Sequence, residues 1–332
     1  MPIFVKVESK SLRGRLFNWA TVLFLSLGGV TMIYPFLIMI SGSFRSAMDE
    51  SDLDIVPEYF FEDSTLYKKF LEFKYDELVG MLNRSHLTRD YSFRQAEAPK
   101  TVNERRVVDF KDFFVESDFP MHWQVVGGMS GRKTVQENLR KLRNRLSKRF
   151  DGDLTAFSES MGTAVSSWLD IVFPSPEWLS SSYLVQRDPI FEEYLGVLAQ
   201  APLAELSFVS LSGYFLEMVV YPRYGDLGNF NEQFNADLKS FQSFRIPRTV
   251  PRSGNSELFV KEWTNFIRED INVSFVVLDH FAKEDYQDYL QGRYQGDISQ
   301  LNLGWESDFS SFREIELPSG EYLRGAVRRD YQ

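Results

Sequence analysis

The residues best able to do chemistry are three histidines and a few paired carboxylates. His86, His122 and His280 stand far apart. No two have the HxxxH or HExxH spacing that puts a pair of imidazoles on one helical face, so scattered structural histidines are expected, not a metal centre. Glu192-Glu193, Glu284-Asp285 and Asp153 are the carboxylates to weigh against glycoside hydrolysis, which needs two flanking one sugar. In an acidic chain they read as solvated surface groups. Neither GxxxxGK[ST] nor GxSxG occurs, so P-loop nucleotide binding and nucleophile-elbow chemistry have no carrier. Gly225-Asp226-Leu227-Gly228 contains GxxG, too short a signature to define a phosphate site. The chain has no Cys, which excludes thiol nucleophiles, zinc knuckles and iron–sulfur ligation. The expectation is a protein with no catalytic, cofactor-binding or metal residue, and not an enzyme.

What would position a non-catalytic function is set by charge and hydropathy. The chain has 332 residues, a net charge of -10 and 43% hydrophobic residues. That is too apolar for disorder and too acidic for nucleic acid as the main partner. The charge is uneven. Through Arg45 the chain carries Lys6, Lys10, Arg13, Arg15 and Arg45 against Glu8 alone. The acidic excess lies beyond, so the two ends are suited to different surroundings.

Between these regions Leu16 to Ile40 reads LFNWATVLFLSLGGVTMIYPFLIMI, without a charged side chain. Such a helix is long enough to cross a hydrocarbon core of about 30 Å. It is too long for the apolar region of a signal peptide, about 7–15 residues. Trp19 and Tyr34 suit the two interfaces. Lys6, Lys10, Arg13 and Arg15 precede the span. After it come Arg45 and then Asp49, Glu50, Asp52 and Asp54. The positive-inside rule then predicts a cytoplasmic N-terminus (1–15), a transmembrane helix (16–40) and an extracytoplasmic remainder, on the inner (plasma) membrane.

That remainder (50–332) carries four stretches that superpose as text: 70–99, 146–174, 221–247 and 289–318. Each has a basic residue, an aromatic, a Gly-Asp or acidic pair, an aliphatic, then Leu or Phe with Asn or Ser. A polar turn, Ser before an aromatic and a final Pro follow. The anchoring aromatics Tyr75, Phe150, Tyr224 and Tyr294 are 75, 74 and 70 residues apart. A fixed period predicts an array of similar units. Each unit is expected to hold an amphipathic helix before its anchor, as in Leu66–Leu82 and Val135–Phe150. Gly152-Asp153 and Gly296-Asp297 suit a turn or an N-cap. The later aromatics Phe93, Trp168, Phe244 and Phe312 are expected to pack over the anchors. A second helix is expected at Val108–Glu116, Ile190–Leu198 and Leu258–Glu269, followed by short strands at His122–Val126, Leu206–Leu211 and Val273–Leu278. The fold class is therefore α+β and helix-rich: one transmembrane helix, then four repeats.

Two family resemblances attach to these residues. The phrase of aromatic, Gly-Asp-Ile, Leu-Asn, Trp, Ser-Phe and Pro resembles a helix and loop of some barrel-fold β-galactosidases, without their catalytic carboxylate. Trp19–Ser46, WATVLFLSLGGVTMIYPFLIMISGSFRS, resembles the first transmembrane helix of binding-protein-dependent ABC importer permeases of the maltose-permease type. Tyr34-Pro35-Phe36 stands where that family has its aliphatic-Pro-aliphatic turn, with aromatics flanking the Pro, and Ser41-Gly42-Ser43-Phe44-Arg45 resembles its Ser-rich exit. The resemblance implies the N-terminal part of a carbohydrate-importer permease with an inserted repeat domain. Its partners would be membrane lipid, further permease subunits, an ABC ATPase and a solute-binding protein. The family's remaining spans and its E-A-A…G loop do not occur in this sequence. A second expectation stands beside it: a single-pass anchored repeat protein that binds a protein partner or glycan.

Overall fold

The computed structural model describes residues 12–46, 48–52, 54–117, 119–131, 135–173, 176–183, 189–251, 256–277, 280–317, 327 and 330. The basic residues Lys6 and Lys10, and two of the four expected prolines, Pro174 and Pro318, lie outside them. Contacts divide the chain into two units, residues 1–69 and 70–332.

In the first unit, α1 runs from Leu12 to Ser43, beyond both ends of the uncharged segment. Among the described residues it is the one helix long and apolar enough to span a membrane. Pro35 sits inside it and its side chains are almost all uncovered. The exit is tied down by polar groups. Ser41 donates to the Asp54 carbonyl at 2.8 Å, and the Arg45 guanidinium reaches the Ser41 hydroxyl at 3.2 Å. Lys69 pairs with Asp49 at 2.9 Å.

The second unit, which begins within α2 at Phe70, is built on four helix–turn–helix segments. The first helices are α2 (Asp63–Lys74), α5 (Glu137–Arg149), a composite of α8 (Leu211–Phe215), a π-helical turn (Leu216–Val220) and α9 (Tyr221–Tyr224), and α12 (Lys283–Arg293). The second helices are α3 (Val79–His86), α6 (Leu154–Met161), α10 (Leu227–Phe234) and α13 (Ile298–Trp305), each of 8 residues. Each helix pair meets at left-handed residues: Asp76 and Glu77, Asp151 and Gly152, Gly225, Gln295 and Gly296. Asp153, Asp226 and Asp297 cap α6, α10 and α13 by accepting backbone N–H groups, satisfying donors the first turn leaves open. Each short helix stops at another left-handed residue, Leu87, Gly162, Asn235 or Glu306.

An extended Ser then leads into a 3-10 turn at the same distance from the helix start in all four: Phe93–Gln95, Trp168–Asp170, Phe241–Ser243 and Phe312–Glu314. The core lies between these pieces. Leu71, Leu146, Val220 and Leu290 come from the first helices and Leu82, Phe157, Phe230 and Leu301 from the second. Ala96, Ile171, Phe244 and Ile315 follow the turns, and all twelve are buried.

Several expectations are corrected. The third segment's turn aromatic is Phe241 after Ser240, not Phe244 after Ser243. Phe244 holds the later buried position beside Ala96, Ile171 and Ile315. In the second segment the anchor meets the turn aromatic through a third ring. Phe150 lies 5.4 Å from Phe157, which lies 5.4 Å from Trp168, so the short helix mediates. The helix expected over Leu66–Leu82 is broken by the turn at 75–78, because Asp76 and Glu77 are left-handed.

The connecting helices are α4 (Glu104–Glu116), α7 (Pro189–Leu198) and α11 (Glu257–Asn265), the last extended by a π turn over Phe266–Asp270. Strand β1 (Gln124–Val126) pairs antiparallel with β2 (Leu206–Phe208). The third expected strand is instead a 3-10 turn over Val273–Phe275, entered through an Asn272 side chain that accepts the Ser274 N–H. Leu211 belongs to α8, and His122 to a 3-10 turn.

Candidate interaction surface

The residues singled out for chemistry are scattered over the fold. The Tyr75 hydroxyl and His86 Nε2 are 3.0 Å apart. Burial, with Lys74 nearby, lowers the pKa of His86. His122 is buried with Nε2 3.2 Å from the Ser274 carbonyl, and burial lowers its pKa too. His280 lies in a separate 3-10 turn. Asp153 is an N-cap, and Glu284 and Asp285 sit in the first turn of α12, where carboxylates favour the helix dipole. No three metal-ligating side chains converge among the described residues.

Glu192 and Glu193 do have a task. Arg149, the last residue of α5, pairs with Glu192 at 2.7 Å and Glu193 at 3.4 Å, and Arg145 pairs with Glu193 at 2.9 Å. These bonds clasp α7 to α5. The next segment has an equivalent. Arg223 and Tyr224, ending α9, both reach Glu262 of α11, the Tyr hydroxyl at 3.0 Å. A third clasp closes on α12 and α13. Asp330 accepts from Arg293 Nε at 2.7 Å, Trp305 Nε1 at 2.7 Å and the Tyr294 hydroxyl. Burial and the Asp330 carboxylate raise the Tyr294 pKa.

Helix α4 departs from this pattern. α7 buries Phe191, Tyr194, Val197 and Leu198, and α11 buries Phe259 and Trp263. α4 buries none of its residues. Phe114 alone is half covered, meeting Phe208 and Phe119 at 6.0 and 6.2 Å. Val108 is 54% exposed, Phe113 55% and Val115 83%. A mostly apolar groove of about 600 Å³ runs beside it, lined by Pro99, Val102, Val107, Phe110, Leu203 and Ala204 together with Thr101, Asn103, Arg106 and Lys111. α4 interleaves six apolar with seven charged residues, and an apolar face of this size is ordinarily covered.

No protein-family model, curated protein or solved structure matches this chain.

The surface must therefore be read from its own geometry. Sequence reasoning placed a helix at Val108–Glu116 but gave it no binding role. The available signal was Val107, Val108, Phe110, Phe113, Phe114 and Val115 within one helix, too many for a single buried stripe.

Proposed function

We propose that this chain is a single-pass membrane protein with a cytoplasmic N-terminus. Its residues from about 50 onward would form an extracytoplasmic array of four copies of one helix-rich α+β unit that binds a protein partner through α4. The observation that carries this reading is the uncovered apolar face of α4 beside its groove. Contiguous exposed apolar surface of this kind marks interaction sites. The recurring short helices, left-handed caps and 3-10 turns support the copy reading, with β1 and β2 as the minor strand component.

The chain lacks Cys, so single cysteines can report its topology without background. Ser51→Cys and Ser307→Cys should both be labelled from outside intact cells by an impermeant maleimide. Labelling of either from the cytoplasmic side alone would reverse the orientation. A photo-crosslinking amino acid at position 113 in native membranes should give a discrete protein adduct. Without an adduct, the partner reading fails.

A second reading has its own observation. Gly28 and Gly29 have nothing within 4 Å of where a Cβ would stand, and small residues let membrane helices approach closely. That suits a permease portion of a carbohydrate ABC importer, with α1 packed among other spans and the array meeting a solute-binding protein. Purification from native membranes would then bring down further permease subunits and an ABC ATPase. Recovery without them favours the first reading.

A further inference from the structure

The two signs of charge on α4 fall on different faces. Arg106, Phe110 and Phe114 are four residues apart, as are Val107 and Lys111, so the five lie on two neighbouring rows of one helix face. That face borders the groove. Arg106, Val107, Phe110 and Lys111 all line it, and Phe110 and Phe114 meet Phe208 at 6.4 and 6.0 Å. Asp109, Asp112 and Glu116, spaced by three and four residues, form a separate row, and none of them lines the groove. No carboxylate among the described residues lines it at all. Glu205, which follows the lining residues Leu203 and Ala204, is turned to Asn138, whose Nδ2 donates to it at 2.9 Å. Neither Arg106 nor Lys111 has an ion pair among the described residues. In a chain of net charge -10, the groove is thus an apolar seam with only basic charge beside it.

We propose that the groove receives an acidic amphipathic segment of a separate protein, its apolar side chains seated against Val107, Phe110 and Leu203 and its carboxylates facing Arg106 and Lys111. The proposal rests on reading α4 as a partner-binding surface and gives that partner its chemistry. Charge complementarity decides the sign. A basic segment would set cations against Arg106 and Lys111 with no carboxylate to offset them, and like-charge juxtaposition rejects such partners. A groove of about 600 Å³ has room for a few anchoring side chains, the number that ordinarily carries an interface. Exposed ion pairs contribute little affinity on their own. The apolar contacts supply the affinity, and the two cations set encounter rate and orientation. Because both cations are exposed, salt screens them and weakens the association.

The test uses the full-length chain in native membranes with the photo-crosslinker at position 113, three residues beyond Phe110. The expected adduct joins another protein through a peptide that combines apolar residues with net negative charge, read by mass spectrometry. Arg106→Glu with Lys111→Glu should lower its yield several-fold, as should raised salt. Asp109→Asn with Asp112→Asn, on the other face, should not lower it. Where the charge-reversed pair fails to accumulate, Arg106→Gln with Lys111→Gln replaces it and should still lower the yield. Four results overturn the proposal while leaving α4 a partner surface: an adduct with a second copy of this chain, an adduct peptide of neutral or basic charge, a yield unmoved by the Arg106 and Lys111 variants, or one lowered equally by the Asp variants. A lipid adduct alone, or none, overturns both.

Discussion

Asn302 holds Phe309 by both of its backbone polar groups. The Asn302 side chain accepts the Phe309 N–H at 3.0 Å and donates to its carbonyl at 2.9 Å. Asn83 does the same to Asp90, and Asn231 to Leu238. In the second segment Ser158 keeps half of the device, accepting the Val165 N–H at 3.1 Å. Each pins the loop between short helix and 3-10 turn, which has no ladder of its own to satisfy it.

Asn302→Ala should therefore destabilise the fourth segment by about 1–3 kcal/mol, the cost of leaving part-buried backbone groups unpaired. Asn302→Ser, imitating the second segment, should cost less. Amide hydrogen exchange across 298–315 in the detergent-solubilised chain would read both. Equal exchange in wild type and Asn302→Ala would show the bonds to be idle.

Asp76 sets a pH dependence. Its carboxylate is buried and accepts N–H groups from Met129 at 2.6 Å and Ser130 at 3.0 Å. Burial nevertheless outweighs these bonds and pushes its pKa up to about 7 from the model-peptide value of 3.8. The folded chain then binds the proton more tightly than the unfolded one. This group's contribution is fullest below about pH 4 and is lost as pH rises to about 7, at most about 4 kcal/mol in all. Asp76→Asn keeps an acceptor and suits the left-handed backbone. It should remove that part of the slope of thermal stability between pH 4 and 7. An unchanged slope would show that Asp76 is not its source.

Two helical glycines should respond oppositely to Ala. A Cβ at Gly213 would stand 2.0 Å from the Arg84 carbonyl oxygen, whereas one at Gly292 meets nothing within 4 Å. Gly213→Ala should cost about 1–3 kcal/mol or more. Gly292→Ala should add up to about 1 kcal/mol. Thermal unfolding followed by circular dichroism compares the pair directly, and losses of the same size would refute the close approach at Gly213.

Phe157, not the anchor Phe150, should dominate the second segment. Phe157 is fully buried between Phe150 and Trp168, whereas Phe150 is only half-buried. Phe157→Ala should cost about 3–5 kcal/mol, and Phe150→Ala distinctly less. The reverse order in denaturant titrations would restore the anchor to the central place.

What the sequence made legible follows from local chemistry. The Gly-Asp pairs became left-handed turns and N-caps because few residues other than Gly adopt positive φ cheaply and Asp accepts N–H groups well. The run from Val273 misled because short apolar stretches serve strands and turns alike, and Asn272 at its entrance tips it to a turn. The third segment offered both Ser240-Phe241 and Ser243-Phe244, and only coordinates distinguish them. The clasps were hidden for another reason. Arg149 and Glu193, or Arg223 and Glu262, are far apart along the chain, and no periodicity links a helix end to the helix that follows it. The long apolar helix was the most legible element, because an uncharged run of that length has few alternatives to a helix.

The third segment also shows how this architecture absorbs changes in length. Its turn has one left-handed residue, Gly225, where the other three have two, while its first helix contains the π turn at Leu216–Val220. A π turn takes in one residue beyond α-helical winding, so a gain upstream offsets a loss downstream and the screw phase of the polypeptide is restored. Phe230 and Phe244 remain buried. A single-residue deletion in the turn of another segment would lack this counterweight and would rotate the following short helix off its core face. Paired with an insertion in the preceding helix, the same deletion should be borne, so length changes in these segments are tolerated as matched pairs.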